Sequence, residues 1–463
     1  MAETLSIVVS GVRPHRDQPA LYIGLFSDAP TTPPARLSLA GIDRVEIRRS
    51  DVRRVDVERV EGDRVMDVGL PDARLSQHHA RLTSRGKGWI FEDLGSKNGS
   101  WIKNTRITTH ALADGDVMIV GHTALVYRTS GGDAKTVITA PPRLVPGLQT
   151  MSPALDARFS DLASAARGVV AIEITGETGT GKELIARAVH ALSERPGEFV
   201  AVNCGALASS LLEAELFGHR RGAYTGAGAE RAGLIRSADH GTLFLDEIAE
   251  LSTAAQASLL RVLQEKEVTP VGADRPVRVD LRVVTATHRD LDEAVAAGQF
   301  RADLRARLLG FRLELLPLRE RPEDLSLIVA DLLRRDAAAQ GAGPVTLLID
   351  AVAALYAYEW PLNIRELERA LAGASAVARD RIELAHLPPA LRSTLSGEPL
   401  VDEAALSPED RELRGKLVDA IARHRGNLTE VAREFAKDRT QVRRWMKRFG
   451  LRREVKRGDT HDA

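Results

Sequence analysis

Two carboxylates, Asp246 and Glu247, close the apolar run Gly241-Thr-Leu-Phe-Leu-Asp-Glu, downstream of the glycine-rich stretch Gly176-Glu177-Thr178-Gly179-Thr180-Gly181-Lys182-Glu183. Glycines let backbone N–H groups converge on phosphate oxygens, and a helix N-terminus adds its dipole, so this stretch reads as a phosphate-binding loop. Lys182 would reach the β and γ phosphates of a nucleotide, ATP being the expected ligand. Asp246 is suited to hold Mg2+, and Glu247 to orient and deprotonate the water that attacks the γ-phosphate. Glu183 stands where a generic loop of this kind has Ser or Thr on the metal, so the metal leans more on other groups. Each piece alone has a plainer reading, a turn with a solvated lysine or an acidic helix cap. Together they favour nucleotide hydrolysis.

Elements must hold these groups. Val169–Thr175 is a β-branched run predicted to be a buried parallel strand, followed by a helix from Lys182 to Leu192. Asn203 ends the strand 199–204 and can hydrogen-bond Glu247. The run from Val279 to Thr287 is a third strand, ending beside His288 in polar groups able to sense a γ-phosphate. Lys182 already serves as the cation within the site. Arg301 and Arg307, in Phe300–Leu308, are therefore expected to act across a subunit boundary, although an Arg-rich solvated helix face is the alternative. Between the two phosphate motifs lies Gly222-Ala223-Tyr224-Thr225-Gly226-Ala227, which buries little and presents Tyr224 and Thr225 on a mobile loop. In isolation it would be an ordinary surface turn.

The flanks differ in texture. Residues 411–463 hold sixteen Lys plus Arg against eight Asp plus Glu, although the whole chain is formally neutral, and such local basicity favours phosphate backbones. Asn427-x-x-Glu430 and Asp438-x-x-Gln441 read as capping boxes opening helices at about 428–435 and 439–449, with a short turn between. Leu417, Ile421, Val431, Ala432, Val442 and Trp445 would form a small core. Arg439, Thr440, Gln441, Arg443, Arg444, Lys447 and Arg448 are left for double-stranded DNA; a basic hairpin serving only assembly is the alternative. From 37 to 127, short alternating runs separated by turn residues predict an all-β sandwich, which the stretch Leu21–Phe26 joins as a strand. The single cysteine, Cys204, excludes an intrachain disulfide. No apolar run is long enough to cross a bilayer, and Met1 opens no signal-peptide pattern, so a cytoplasmic protein with no membrane partner is expected.

Residues 148–393, with GETGTGKE, Glu215-Leu-Phe-Gly-His219 leading into GAYTGA, GTLFLDEI, FRADLRARL, LPLRER and Trp360-Pro-Leu-Asn-Ile-Arg-Glu-Leu367, resemble the AAA+ domain of bacterial enhancer-binding proteins, the activators of sigma-54 RNA polymerase. The resemblance implies that residues 222–227 contact sigma-54, that Asn203 couples the γ-phosphate to that loop, that His288 lies in sensor I and that Arg365 is the sensor II arginine. It also makes Glu183 usual for the family and a hexameric ring the expected assembly. Tyr224 replaces a more frequent phenylalanine, and Leu362 a frequent glycine. Residues 411–452 resemble a Fis-type helix-turn-helix, which binds DNA as a dimer.

Residues 70–82, Glu92–Trp101 and 114–116 resemble a forkhead-associated (FHA) domain, a reader of phosphothreonine peptides. By that resemblance Arg49, Ser76 and Asn98 contact phosphate or peptide backbone, His79 braces the loops, and Lys97 occupies a position where threonine is common. Arg48 and Gln77 depart from the family's usual glycine and arginine.

The expected order is an FHA-like sandwich over 1–128, a linker over 129–147, an α/β AAA+ domain over 148–393 with a helical subdomain from about 319, a linker over 394–410, an all-α DNA-binding domain over 411–452 and a tail over 453–463. The function so implied is sigma-54-dependent activation under phosphothreonine control. A regulator of the housekeeping polymerase and a phosphopeptide scaffold are the competing classes.

Overall fold

The computed structural model describes residues 18–86, 88–130, 137–139, 145–220, 230–273, 275–341, 343–378, 380–395, 408–424 and 427–448. They gather into two compact units, one built from Met1–Thr139, Val329–Tyr358 and Ala370–Ala463, the other from Ala140–Ile328 and Glu359–Arg369.

The N-terminal region is a sandwich of a seven-stranded and a six-stranded sheet. Alternation builds it: in Arg44–Arg49, Val45 and Ile47 turn inward to meet Met66, Val68, Leu82 and Phe91, while the residues between them reach water. Arg44–Arg49 runs parallel to Asp63–Leu70 and antiparallel to Ala80–Arg85. Ala20–Phe26 joins the sandwich as expected, between Ala35–Ser38 and Thr123–Arg128. The linker expected over 129–147 is not all linker, because Val137–Thr139 pairs with Ala35–Leu37 as an edge strand.

In the second unit five strands form one parallel sheet, in the order Phe199–Asn203, Thr242–Asp246, Arg282–Thr287, Ile172–Gly176, Phe311–Leu315. Leu243, Leu245 and Val283 face one apolar cluster, and Phe244, Val284 and Ala286 the other, as expected of a sheet buried on both faces.

Two strands begin later than predicted. Val169 and Val170 are exposed and precede the strand, which starts at Ile172. The third strand starts at Arg282, while Val277–Arg278 pairs separately with Glu267–Val268. One side chain explains the first shift: the buried Arg282 guanidinium donates to the carbonyls of Ala165, Ala166, Gly168 and Val170, tying down the segment that would otherwise extend the strand.

The C-terminal region consists of the helices Pro408–Arg423, Leu428–Glu434 and Arg439–Arg448 around the expected core, to which Ala420, Leu428 and Met446 are added. No helix among the described residues is long and apolar enough to cross a membrane.

Candidate functional site: a nucleotide pocket and two recognition surfaces

The parallel strands deliver their carboxyl ends to one edge, and Asn203 lies in register with Asp246 there. The loop leaving Ile172–Gly176 turns through Gly176, Gly179 and Gly181, whose φ angles of 147°, 81° and 103° are ones that residues with a Cβ rarely adopt. At Gly179 a Cβ would lie 2.1 Å from the Leu362 carbonyl oxygen, so only glycine fits. Helix Lys182–Leu192 follows with the predicted limits.

Lys182 is buried, and its ammonium donates to the carbonyls of Gly176 (2.9 Å) and Glu177 (3.2 Å), pre-placed inside the loop. Burial lowers its pKa, while the carboxylates of Glu247 and Asp246 oppose that shift and Arg365 adds to it. Asp246 shifts upward, chiefly by desolvation, against the pull of Lys182. These four charges thus lie near enough to act on one another. A glycine cradle, an enclosed cation and two strand-end carboxylates fit a nucleotide triphosphate with its magnesium ion.

Glu247 has a left-handed backbone, φ 54°, and its N–H donates to Asp246 Oδ1 at 3.1 Å. Its carboxylate meets His288 Nδ1 at 2.7 Å. The expected Asn203–Glu247 hydrogen bond is not formed among the described residues; Asn203 Oδ1 accepts from Gly205 N–H at 2.9 Å, a turn two residues along its own chain.

Glu177 does not turn its carboxylate toward the phosphate pocket. Arg319 grips it with two nitrogens, at 2.9 and 2.5 Å, and Asn363 Nδ2 donates to it at 3.1 Å. The Arg319 and Asn363 hydrogen bonds hold its pKa down at about 2. Asn363 is fully buried and also donates to Thr178 O (3.0 Å) while accepting from Leu318 N–H (2.8 Å). Ile364 N–H donates to Gly179 O at 2.9 Å, so the helix Asn363–Val377 begins against the loop and carries Arg365 in its first turn. Thr180 donates to Glu177 O at 2.8 Å. Glu183 pairs with Arg187 one turn along the same helix.

Of the two arginines expected to act in trans, Arg301 precedes helix Ala302–Leu308 and pairs with Asp303, and Arg307 is exposed and donates to Leu263 O at 3.2 Å. Between them Arg305 is buried, held by Glu173 (2.9 Å) and Asp292 (2.8 Å), an internal brace that sequence reading did not single out. Arg319 and Asn363 were also missed. Both lie in segments whose sequence was matched, but no side-chain role was attached to them. The expected sigma-54 contact, Gly222, Ala223, Tyr224, Thr225, Gly226 and Ala227, lies outside the described residues.

In the sandwich, the predicted phosphopeptide residues come together at one end. Arg49 is exposed at the end of its strand, and its N–H donates to Ser76 O at 3.0 Å. Ser76 Oγ accepts from Lys97 N–H (3.1 Å), and Asn98 Nδ2 donates to Arg74 O (2.7 Å). His79 is fully buried between these loops, with Nδ1 accepting from Ser76 N–H (3.2 Å) and Nε2 facing Gly99 O (3.3 Å); desolvation lowers its pKa. These contacts agree with a bracing role. Arg48, at the departure from the FHA pattern, is tied to Asp67 by two nitrogens.

In the C-terminal helices, Asn427 Oδ1 accepts from Thr429 N–H (3.1 Å) and Asp438 Oδ1 from Gln441 N–H (2.8 Å), so both caps form. Glu430 turns to Arg433 rather than completing its box. Arg439, Thr440 and Arg444 are exposed. The side chains of Arg443, Lys447 and Arg448 lie outside the described set.

Residues 148–314 match the Sigma-54 interaction domain, residues 319–403 the AAA+ ATPase lid domain and residues 61–121 the FHA domain. The chain is 43% identical over 310 residues to the hydrogenase transcriptional regulatory protein HoxA of Cupriavidus necator, covering 64% of each chain. It is 48% identical over 261 residues to the transcriptional regulatory protein XylR of Pseudomonas putida, covering 56% of this chain and 46% of that one. It thus spans between about half and two thirds of the length of these curated relatives. Among solved structures, NtrX from Brucella abortus in complex with ADP is 31% identical with a TM-score of 0.50, the match covering 67% of this chain and 70% of that one. The chain belongs to the sigma-54 transcriptional activators, with an FHA domain preceding its AAA+ ATPase domain.

Proposed function

We propose that the protein hydrolyses ATP in an oligomeric ring, a hexamer by family resemblance, and uses that work to remodel the closed complex of sigma-54 RNA polymerase at promoters. The observation that carries this reading is the glycine loop that encloses Lys182, with Asp246 and Glu247 at the carboxyl end of a strand of the same parallel sheet. Lys182 binds the β and γ phosphates, and Asp246 would hold a magnesium ion, which would supply charge neutralisation on the phosphates. Glu247, oriented by His288, takes a proton from the attacking water. Arg301 and Arg307 serve a neighbouring subunit, and Asn203 and His288 relay the state of the γ-phosphate. The Tyr224–Thr225 loop presses on sigma-54.

Around this motor, the exposed face of Arg439–Arg448 binds DNA upstream of the promoter, and the Arg49, Ser76, Lys97 and Asn98 loops read a phosphothreonine peptide. One exposed guanidinium, one hydroxyl and one amide suit a dianionic phosphate.

Glu247→Gln tests the chemistry. ATP affinity, measured with a fluorescent analogue, should change little, and turnover should fall by about a hundredfold or more, the usual scale for a lost general base. Turnover near the wild-type rate would remove Glu247 from the mechanism.

A further inference from the structure

The seven-stranded sheet of the FHA sandwich carries a covered apolar patch on its outer face, beside the buried Arg36 and Ser38. In Ala20–Phe26 the inner residues Leu21 and Ile23 belong to the sandwich core, yet the alternating Ala20 and Tyr22 are also 0–1% exposed. Along the sheet Ala124 and Val126 share that outer face and are fully covered, and Ile119 beside them is buried as well. A sandwich sheet that faces water carries polar side chains at such positions. This face has a partner in the same compact unit.

The partner is the lid segment around Ile349–Ala357. That helix packs on strand Thr123–Arg128, and a Cβ at Gly24 would stand 2.6 Å from Tyr356 Oη, so the lid tyrosine reaches into close contact with strand Ala20–Phe26. Just before the helix, Leu347 N–H donates to Ser27 O at 2.8 Å, a backbone bond from lid to sandwich. The helix itself is buried nearly all round, Ala351, Val352, Ala354 and Leu355 being fully covered, as expected for one packed on two sides. Beyond it the chain continues through Trp360 into Asn363 and Arg365.

We propose that the outer face of the FHA sheet is a docking surface for the lid of the same chain, and that the N-terminal domain controls ATP turnover by holding that helix. The control rests on the ATPase reading above; the docking does not. A ligand at the FHA loops can then alter the ATPase only through differential contact with the docked and released lid.

Hydrogen exchange on the full-length chain tests this at the Leu347 amide, whose acceptor belongs to the sandwich. Tyr356→Ala and Val126→Lys should each speed exchange there by about tenfold or more. The amides of Met118 and Leu125 within the sandwich should keep their rates, and ATP turnover should shift by about fivefold or more in either direction. If Val126→Lys also frees Met118 and Leu125, the sandwich itself has opened, and Tyr356→Ala on the lid decides. Unchanged exchange at Leu347 overturns the docking, and faster exchange with unchanged turnover overturns the control. No ATP turnover by the wild-type chain or by either variant overturns the control together with the ATPase reading, while the docking stands or falls on Leu347.

Discussion

Glu177 shows how much of the site is decided by a single side chain. Placed in the phosphate loop by its sequence position, it instead anchors the loop to Arg319 and Asn363. Its pKa lies at about 2, below the ordinary 4.5, so the ionised form is the one that folding favours. The stability it contributes is therefore complete above pH 4.5 and is lost as pH falls toward 2. We expect Glu177→Gln to cost no more than about 1 kcal/mol, because the pair is partly exposed and screened. The cost should be constant from pH 8 to 5 and shrink below that in denaturant titrations. A cost that vanishes near neutrality would contradict the assignment. The strand-end position of the candidate carboxylates Asp246 and Glu247 was legible because an apolar run that stops at two acidic residues marks a strand end. Glu177, Arg305 and Asn363 were not, because a buried or bridging role depends on partners far away in the chain, such as Glu173 for Arg305 and Glu177 for Asn363.

At the scale of elements, local patterns were read well where local forces dominate. Helix Lys182–Leu192 has the predicted limits, and the helix starting at Leu428 begins at its cap. The start of the strand at Ile172 was misread because the valine pattern says nothing of Arg282, whose guanidinium claims the carbonyls before it. The edge strand Val137–Thr139 was missed for a similar reason: a three-residue strand is set by its pairing partner, not by its own sequence.

Two elements give direct predictions. Gly179→Ala forces a Cβ onto the Leu362 carbonyl at a positive φ, so nucleotide affinity, read with a fluorescent ATP analogue, should fall about tenfold or more. Wild-type affinity would show that the loop relaxes freely. Asn427→Ala removes the cap on Thr429 N–H and should lower the stability of that helix by about 1 kcal/mol, seen as several-fold faster exchange of the Thr429 amide. Unaltered exchange would show that water replaces the cap at no cost.

For the whole molecule, the order of an all-β domain, an α/β ATPase domain with its lid and a terminal helical domain was legible from texture, charge and motif. What the sequence did not show was the covered apolar patch on the outer face of the FHA sheet, because Ala20, Tyr22 and Val126 read as ordinary strand residues until the lid helix is placed beside them. The central claim is that ATP turnover in the pocket of Lys182 and Glu247 is spent through Thr225 on sigma-54 polymerase. Its most direct test is ATP-dependent open-complex formation on a sigma-54 promoter, with purified polymerase and either the wild-type protein or Thr225→Ala. The account predicts that the wild type opens the DNA and that Thr225→Ala hydrolyses ATP without opening it; ordinary opening by Thr225→Ala would contradict it.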